Sequence, residues 1–327
     1  MPRRLSTGVG QVTKPIPSVL YKYRDFSART VAMLCNDELF YADPSTFNDP
    51  LDAKPCVEAD CDIPTLEKTV LELVRRRVEA EMQAGAQTLK YKGPKTLAHI
   101  DKHSTTAAQR RLQNLAYHAT NPEYADAGPN AHARLLADEI EQELLLQYDK
   151  GILSLAKRYA CPLMWSHYGD QHRGLCIGYR VPQAAQSQLH QVKYGGSRNV
   201  QASTVAAMLS GDTDARAIVD STVLLRKAQA WRYEKEWRML GPHGKHDSPL
   251  ELAEVIFGMR CEDTVKHTIA RALDRRDKPI KLYEIHKVPG TFQLKRRRLN
   301  VDELGASYPK RALSVAEACE PVTPSSE

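Results

Sequence analysis

The 327-residue sequence lacks the features that identify several large classes of protein. No apolar run approaches the ~18 residues that a membrane-spanning helix requires, so no transmembrane segment is expected. The basic N-terminus is not followed by an apolar segment, so we do not expect a secretory signal. The motifs GxxxxGKS, GxxxxGKT, GxGxxG and GxSxG are also missing. Their absence argues against a phosphate-binding loop, a Rossmann nucleotide site and a hydrolase nucleophile elbow.

Cysteine is too irregularly spaced for a structural metal site. The seven cysteines are odd in number, form no CxxC pair, and only Cys56 and Cys61 lie close together. Structural zinc is therefore not expected. Reduced thiols are the default in a cytoplasm-like compartment. We expect a cytoplasmic protein, with secretion as an effector left open.

Composition and charge are those of an ordinary globular protein. Apolar residues make up 42% of the chain and charged residues 26%, which is close to average. The 46 Lys and Arg residues exceed the 40 Asp and Glu residues by six. That excess is compatible with an acidic or phosphate-bearing ligand but does not require one. The basic runs at 75–77 and 295–298 are more often solvated surfaces, and nucleic-acid contact is the main alternative.

The order of strand-like and helical segments indicates an α+β protein with mixed or antiparallel central sheets and a helical insertion. Apolar residues at helical spacing predict about three helices over about 63–150, separated by breaker-rich pieces. Short strands mixed with a few helices are predicted on either side. We expect a flexible arm over 1–18, a single domain over 19–312 that carries the insertion, and a flexible tail over 313–327.

Four segments far apart in the chain combine aromatic or histidine side chains with polar and charged ones. They are LYKYR (20–24), FNDPLD (47–52), MWSHYGDQHRGLCIGY (164–179) and YEKEWRML (233–240). Burying a charge or an amide is costly unless the group is paired, so this mixture is more typical of a pocket than of a core. The sequence therefore predicts that the four segments form the walls of one site.

In this order, the four segments resemble a large bacterial family that is catalogued as a domain of unknown function. The matching motifs are Tyr-Lys-Tyr at 21–23, Phe-Asn-Asp-Pro at 47–50, Trp-Ser-His-Tyr at 165–168 with His-Arg-Gly at 172–174, and Glu-Lys-Glu-Trp-Arg at 234–238. The resemblance covers about 20–58 and 151–290. Members are expected to vary in the helical insertion.

The motif order is also similar to that of ADP-ribosyltransferases. In those enzymes an early Arg or His grips NAD, a middle Ser or Tyr lines the nicotinamide pocket, and a late Glu bonds the ribose 2′-hydroxyl. The resemblance implies that Lys22 or Arg24 is the first motif, Ser166 with Tyr168 the second, and Glu236 the third. The sequence departs from the pattern in having several first-motif candidates and no Thr-Ser pair after Ser166.

This second resemblance implies an NAD-dependent enzyme whose ligand is a nucleotide-like small molecule. The activity would be transfer of ADP-ribose to a protein or nucleic-acid acceptor, or hydrolysis of NAD. Such activities are typical of bacterial toxins, effectors and defence proteins. An ADP-ribosyltransferase-like fold is implied as well.

The chemistry of NAD cleavage gives these residue types specific roles. Breaking the nicotinamide–ribose bond passes through an oxocarbenium-like state, as in glycoside hydrolysis, and a fixed carboxylate stabilises the developing charge. The catalytic candidates are Glu236, Glu234 and His167. If 233–240 is one strand, the two glutamates share a face and repel, so that one has a raised pKa suited to a base.

The cofactor-binding candidates supply stacking, hydrogen bonds and charge. Aromatic rings can stack on nicotinamide or adenine, and arginines can clamp a diphosphate. The candidates are Tyr21, Lys22, Tyr23, Arg24, Asn48, Asp49, Trp165, Ser166, Tyr168, His172 and Arg238. Each type also has a structural interpretation, as a core aromatic, a residue that orders a turn or an arginine in a salt bridge.

Two other functional classes stay open. A metal-dependent nuclease would use Asp49, Asp52, His167, Asp170 and Glu236 around a divalent ion, although no metal-ligand spacing as clear as HExxH is present. A non-catalytic domain would bind a ligand or partner, with the helical insertion as the partner surface. Neither a resident metal nor a membrane partner is predicted.

Overall fold

The computed structural model describes residues 15–91, 93–121, 130–148 and 150–310. It is an α+β structure with both antiparallel and parallel strand pairs, which confirms the predicted fold class. The predicted flexible arm lies outside the described residues over 1–14, and the predicted tail over 313–327 lies wholly outside them. No described helix is long and apolar enough to cross a membrane.

The strands, in chain order, are β1 (Val19–Arg24), β2 (Glu38–Tyr41), β3 (Cys56–Glu58), β4 (Gly151–Ala156), β5 (Leu175–Arg180), β6 (Leu189–Gln191), β7 (Lys193–Tyr194), β8 (Asn199–Gln201), β9 (Arg226–Lys227), β10 (Glu236–Gly241), β11 (Gly244–Asp247), β12 (Glu251–Phe257), β13 (Lys281–Lys287) and β14 (Leu294–Arg298).

The α-helices are α1 (Ala28–Asn36), α2 (Ile63–Thr88), α3 (Thr96–Thr120), α4 (Ala131–Gln147), α5 (Pro162–Tyr168), α6 (Ala202–Leu209), α7 (Thr213–Leu224), α8 (Asp263–Leu273) and α9 (Val301–Ser307). Short 3₁₀-helices span Pro44–Thr46, Gln183–Gln188 and Gln229–Glu234.

The chain divides into two compact units. Unit 1 contains the described residues up to Leu39, residues 155–186 and the described residues from Asp247 onward. Unit 2 contains residues 40–154 and 187–246. The single domain expected from the sequence stays a prediction.

Unit 1 is built on a sheet with the strand order β14-β13-β12-β5-β1. Strand β5 is antiparallel to both neighbours, and Gly178 lies opposite Tyr21 on one side and Glu254 on the other. A Cβ at residue 178 would lie 2.5 Å from the Glu254 side chain, so glycine makes room for these two large side chains. Helix α8 lies on the opposite face, where Lys266 bonds Glu284 at 2.8 Å.

Unit 2 is dominated by helices. The three helices predicted over 63–150 are α2, α3 and α4, and the buried stripe of α2 is the one its apolar spacing predicts. The stripe contains Leu66, Val70 and Leu73, which belong to a large apolar core. Asp62 caps α2 by accepting a hydrogen bond from the Thr65 backbone.

The strands of unit 2 position the candidate site. Strands β4, β10 and β6 are neighbours in that order, and β10 is antiparallel to β6 with Trp237 opposite Gln191. The first four residues of β10 are buried on both faces. A charged residue in this strand therefore has to find its partners inside the protein.

Candidate functional site

A buried cluster of ionisable side chains lies in unit 2. We call it the ion cluster, and its members are Asp52, Lys227, Glu234, Glu236 and Arg238. None of the five side chains is more than 8% exposed. Charged groups at such depth are stable only with close, well-directed partners.

Arg238 lies at the centre of the ion cluster and is completely buried. Its Nε donates to Glu236 at 2.8 Å, and its Nη2 donates to both carboxylate oxygens of Asp52 at 2.7 and 2.8 Å. Its Nη1 donates to the Leu224 carbonyl at 2.7 Å. The planar guanidinium thus joins two carboxylates and the end of α7, which an ammonium group could not do with the same geometry.

Lys227 forms the second cationic centre. Its Nζ lies 2.7 Å from Glu234 and 3.2 Å from both Asp52 and Glu236. Burial alone would lower the pKa of Lys227, but the three carboxylates outweigh burial and raise it. Lys227 is therefore a permanent cation that holds the three acidic side chains together.

The environment of Glu236 favours its ionised form. Burial alone would raise its pKa, but the charges of Arg238 and Lys227, with hydrogen bonds from Arg238 and Ser154, outweigh burial and lower the pKa to about 2. A single strand over 233–240 predicts a raised pKa for one of the two glutamates, because two like charges repel. For Glu236 this is wrong, since two cations are in direct contact with it.

The local backbone does not meet the condition that 233–240 form one strand, although a strand over its last residues is present as predicted. Glu234 ends a 3₁₀-helix, Lys235 adopts a left-handed conformation with φ 51°, and β10 begins only at Glu236. The alternation of a single strand is thereby interrupted between the two glutamates. They converge through Lys227 instead, which contacts both carboxylates.

The FNDPLD loop reaches the ion cluster through Asp52. Asp49 shapes the loop, because its Oδ1 accepts the Leu51 backbone N–H at 2.9 Å and its carbonyl accepts that of Asp52 at 3.1 Å. Its Oδ2 accepts the indole N–H of Trp231 at 2.7 Å. Asp49 therefore orders the turn and ties it to the segment that leads into Glu234.

Aromatic side chains lie over both cations of the ion cluster. The Trp231 ring lies 5.1 Å from Lys227 Nζ, and the Phe47 ring lies 5.7 Å from the guanidinium of Arg238. The Tyr194 hydroxyl accepts the backbone N–H of Glu236 at 2.7 Å. These rings stabilise the cations and limit access of water to the carboxylates.

Sequence reasoning missed Lys227, Trp231 and Tyr194. The density of aromatic and charged residues in QAWRYEKEWR could have pointed to Trp231. Nothing local marks Lys227 or Tyr194, because both lie in two-residue strands.

The aromatic candidates of LYKYR and MWSHY meet in unit 1. The rings of Tyr23 and Trp165 are edge-to-face at 5.2 Å, and both side chains are buried. The Tyr23 hydroxyl donates to the Arg158 carbonyl at 2.9 Å, and the Trp165 indole donates to the Tyr159 carbonyl at 2.7 Å. This is the arrangement of core aromatics with satisfied polar ends.

The loop after α5 has an unusual backbone. Asp170, Gln171 and His172 have φ values of 47°, 51° and 70°, a left-handed turn that non-glycine residues rarely form. The His172 ring is stacked on Trp165 at 5.9 Å, and its buried Nδ1 has no hydrogen-bond partner among the described residues. Burial and then the charge of Arg260 lower its pKa, so the neutral imidazole is favoured.

The remaining candidates have varied surroundings. Tyr21 is buried beside Glu254, and burial followed by the Glu254 charge raises its pKa. Burial lowers the pKa of Arg24. The Ser166 hydroxyl donates to the Pro162 carbonyl within α5 at 3.0 Å. Exposed side chains are those of Asn48, Ser166 and His167, while Lys22, Arg24 and Tyr168 are half-buried.

The structure thus brings the candidates together in two groups. Unit 2 holds Asn48, Asp49, Glu234, Glu236 and Arg238, and unit 1 holds the others. Convergence of all four segments on one ligand stays a prediction. Among the described residues, no group of three or more His, Cys, Asp or Glu side chains is arranged to hold a metal ion.

One comparison with known proteins gives a match. A family model described as "Protein of unknown function (DUF2971)" matches residues 164–239. The matched stretch contains the Trp-Ser-His-Tyr and Glu-Lys-Glu-Trp-Arg motifs. It includes every member of the ion cluster except Asp52. The chain therefore resembles a family of unknown function over this stretch. No curated protein and no solved structure matches the chain.

Proposed function

We propose that this protein is an ADP-ribosyltransferase-like enzyme that uses NAD, either transferring ADP-ribose to a macromolecule or hydrolysing NAD. One observation carries the proposal. Glu236 is held as an ionised carboxylate in an ion cluster with three carboxyl groups against two cations. Such a cluster favours the approach of a further positive charge.

The proposed reaction supplies that charge. The bond between the nicotinamide nitrogen and ribose C1′ breaks, and its electron pair leaves with nicotinamide. The positive charge that develops on the ribose is then neutralised when an oxygen or nitrogen of the acceptor, or water, donates an electron pair to C1′. The acceptor's proton passes to solvent, and a fixed carboxylate near C1′ lowers the barrier because it needs no reorganisation.

The proposal gives Glu236 a different role from that of the two cations. A carboxylate with a pKa of about 2 suits charge stabilisation rather than proton transfer near neutral pH. Arg238 and Lys227 hold Glu236 in place. Trp231 and Phe47 cover the cations, so in the proposed complex they move aside and offer aromatic faces to the nucleotide.

The test is to incubate the protein with NAD and to measure the loss of NAD and the release of nicotinamide by chromatography. The wild type should release nicotinamide, and Glu236→Gln should lower the rate by about 10²- to 10³-fold, the typical loss for one stabilising group. Asp52→Asn is the matched control, because it also removes a buried carboxylate bonded to Arg238. It should match Glu236→Gln in lost thermal stability but keep most of the activity.

Two results would contradict the proposal. One is a wild-type protein that neither releases nicotinamide nor is stabilised by NAD, since a ligand at 100 times its Kd should add about 2.7 kcal/mol to the free energy of unfolding. The other is equal activity of Glu236→Gln and wild type. Cleavage of nucleic acid that a chelator abolishes would instead support the nuclease alternative.

A further inference from the structure

The positive charge of the chain is concentrated in one hairpin, formed by β13 and β14. Residues 281–298 contain six Lys and Arg residues against one Glu, a net charge of +5, whereas the whole chain has +6. The hairpin is thus far more basic than the rest of the chain on average. A local excess of this kind attracts a polyanion.

The hairpin is also at the border of its sheet. Strand β14 is the last strand in the order of the unit 1 sheet, so its outer edge has no neighbouring strand among the described residues. Exposed edges of this kind are often made basic to prevent pairing with another chain. That explanation accounts for the charge of β14, but not for the aromatic residues described next.

The cations of the hairpin fall into two groups. Arg296 is paired with Glu254 and Arg297 with Glu284. Lys281, Lys287, Lys295 and Arg298 are exposed, and within the described part of the chain they form no ion pair with a carboxylate. These four side chains are therefore available to an external anion.

Arginine and tyrosine side chains alternate on one face of this hairpin. The guanidinium of Arg296 lies 4.7 Å from the ring of Tyr159 and 4.3 Å from that of Tyr283. Arg298, directly opposite Tyr283 in the antiparallel register, lies 5.6 Å from the same ring. The series ends at the exposed guanidinium of Arg298, where another planar group can stack.

An isolated aromatic ring lies at the tip. Phe292 is 97% exposed, in the connection over 288–293 that contains the left-handed Gly290. Leaving a phenylalanine in water forgoes the roughly 1.5–3 kcal/mol that its burial would contribute. Both faces of its ring are accessible to a ligand.

We propose that the β13–β14 hairpin binds single-stranded nucleic acid, with bases stacking on Phe292 and Arg298 and phosphates contacting Lys287 and Lys295. Stacking platforms combined with a basic track are the usual means of binding an unpaired strand. Double-stranded nucleic acid is a poorer fit, because its bases are already stacked on one another. A membrane surface is also a poorer fit, because a lone phenylalanine is a weak membrane anchor. This inference goes beyond the proposed function and does not rest on it.

The test is the fluorescence anisotropy of a labelled single-stranded oligonucleotide, titrated with the full-length protein at several salt concentrations. Phe292→Ala removes one stacking ring from a fully exposed position and should weaken binding by about 5- to 150-fold. Lys287→Ala/Lys295→Ala should weaken binding and reduce the slope of log K against log[salt] by about 1.4, the value for two lost phosphate contacts on a single strand.

The matched control is Lys102→Ala/Arg110→Ala, which removes two exposed cations from α3 and should leave both affinity and salt slope unchanged. Equal losses in the control and the hairpin variant would refute the proposal, since binding would then reflect net charge alone. Unchanged affinity in Phe292→Ala would also refute it. So would tighter binding to a duplex of the same length, or to vesicles of anionic phospholipid, than to the single strand.

Discussion

Replacing Arg238 with methionine tests whether the ion cluster holds unit 2 together. Methionine fills a similar space with an apolar chain, but it removes the guanidinium that bonds Asp52, Glu236 and the Leu224 carbonyl. Three carboxyl groups then face Lys227 alone. Removing one partner of a buried ion pair costs about 3–5 kcal/mol.

The expected effect is large enough to measure by thermal unfolding. For a unit of this length, 1 kcal/mol shifts Tm by about 2–4 °C, so Arg238→Met should lower Tm by about 6–20 °C. Arg238→Lys keeps the charge but loses the planar guanidinium. Its stability should lie between those of the wild type and Arg238→Met, with a loss of about 1–3 kcal/mol in the free energy of unfolding. The fluorescence of Trp231 and Trp237, both in unit 2, reports the relevant transition.

Arg198→Met is the matched control in the same unit. Arg198 is exposed, and its side chain makes a 3.4 Å hydrogen bond to the Lys54 carbonyl, so the same substitution should change stability by no more than about 0.5 kcal/mol. If Arg238→Met and Arg198→Met unfold within about 2 °C of each other, the ion cluster does not stabilise the fold and the reasoning is refuted.

The remaining predictions concern pH and glycine. The pKa of Glu236 is lowered from 4.5 to about 2, so its ionised form should add about 3 kcal/mol to the free energy of unfolding. This contribution is present above pH 4.5 and is lost as the pH falls towards 2. In Glu236→Gln, the free energy of unfolding should therefore depend less on pH over this range. Burial and then the charge of Arg260 lower the pKa of His172, so the Tm of the wild type should fall as the pH drops below 6.5. His172→Gln should remove this pH dependence. The same dependence of Tm on pH in both proteins would contradict the prediction. Gly258→Ala should destabilise the protein by about 1–3 kcal/mol, because the new Cβ would lie 2.1 Å from the His172 carbonyl oxygen. A Cβ at residue 85 would have nothing within 4 Å, so Gly85→Ala should stabilise α2 by about 0.5–1 kcal/mol. A higher denaturant midpoint for Gly258→Ala than for Gly85→Ala would refute the packing argument.

Local pattern was enough to predict most elements. The apolar spacing of α2 and the short run before Gly169 that forms α5 are both visible in the sequence, because periodicity reflects which face is buried. The sequence pattern did not predict the break in the backbone at Lys235. Its left-handed conformation ends one element and begins another, and no residue type at that position announces it.

The structure shows two pairwise contacts among the four segments that were predicted to form one site. FNDPLD and EKEWR meet where Arg238 bonds Asp52, and LYKYR and MWSHY meet where Tyr23 packs on Trp165. Polar side chains among large apolar ones have to be satisfied somewhere, which is why the sequence could indicate that such segments find partners. It could not indicate which partners.

By itself, the sequence determined the α+β class, the helical region over about 63–150 and the types of side chain that had to be paired. Tertiary structure alone decided that Lys227 joins Glu234 to Glu236 and that the pKa of Glu236 falls rather than rises. The physical reason is distance along the chain. The Arg238–Asp52 pair spans 186 positions, and the charge that a carboxyl group carries depends on which cations the fold brings within about 3 Å of it.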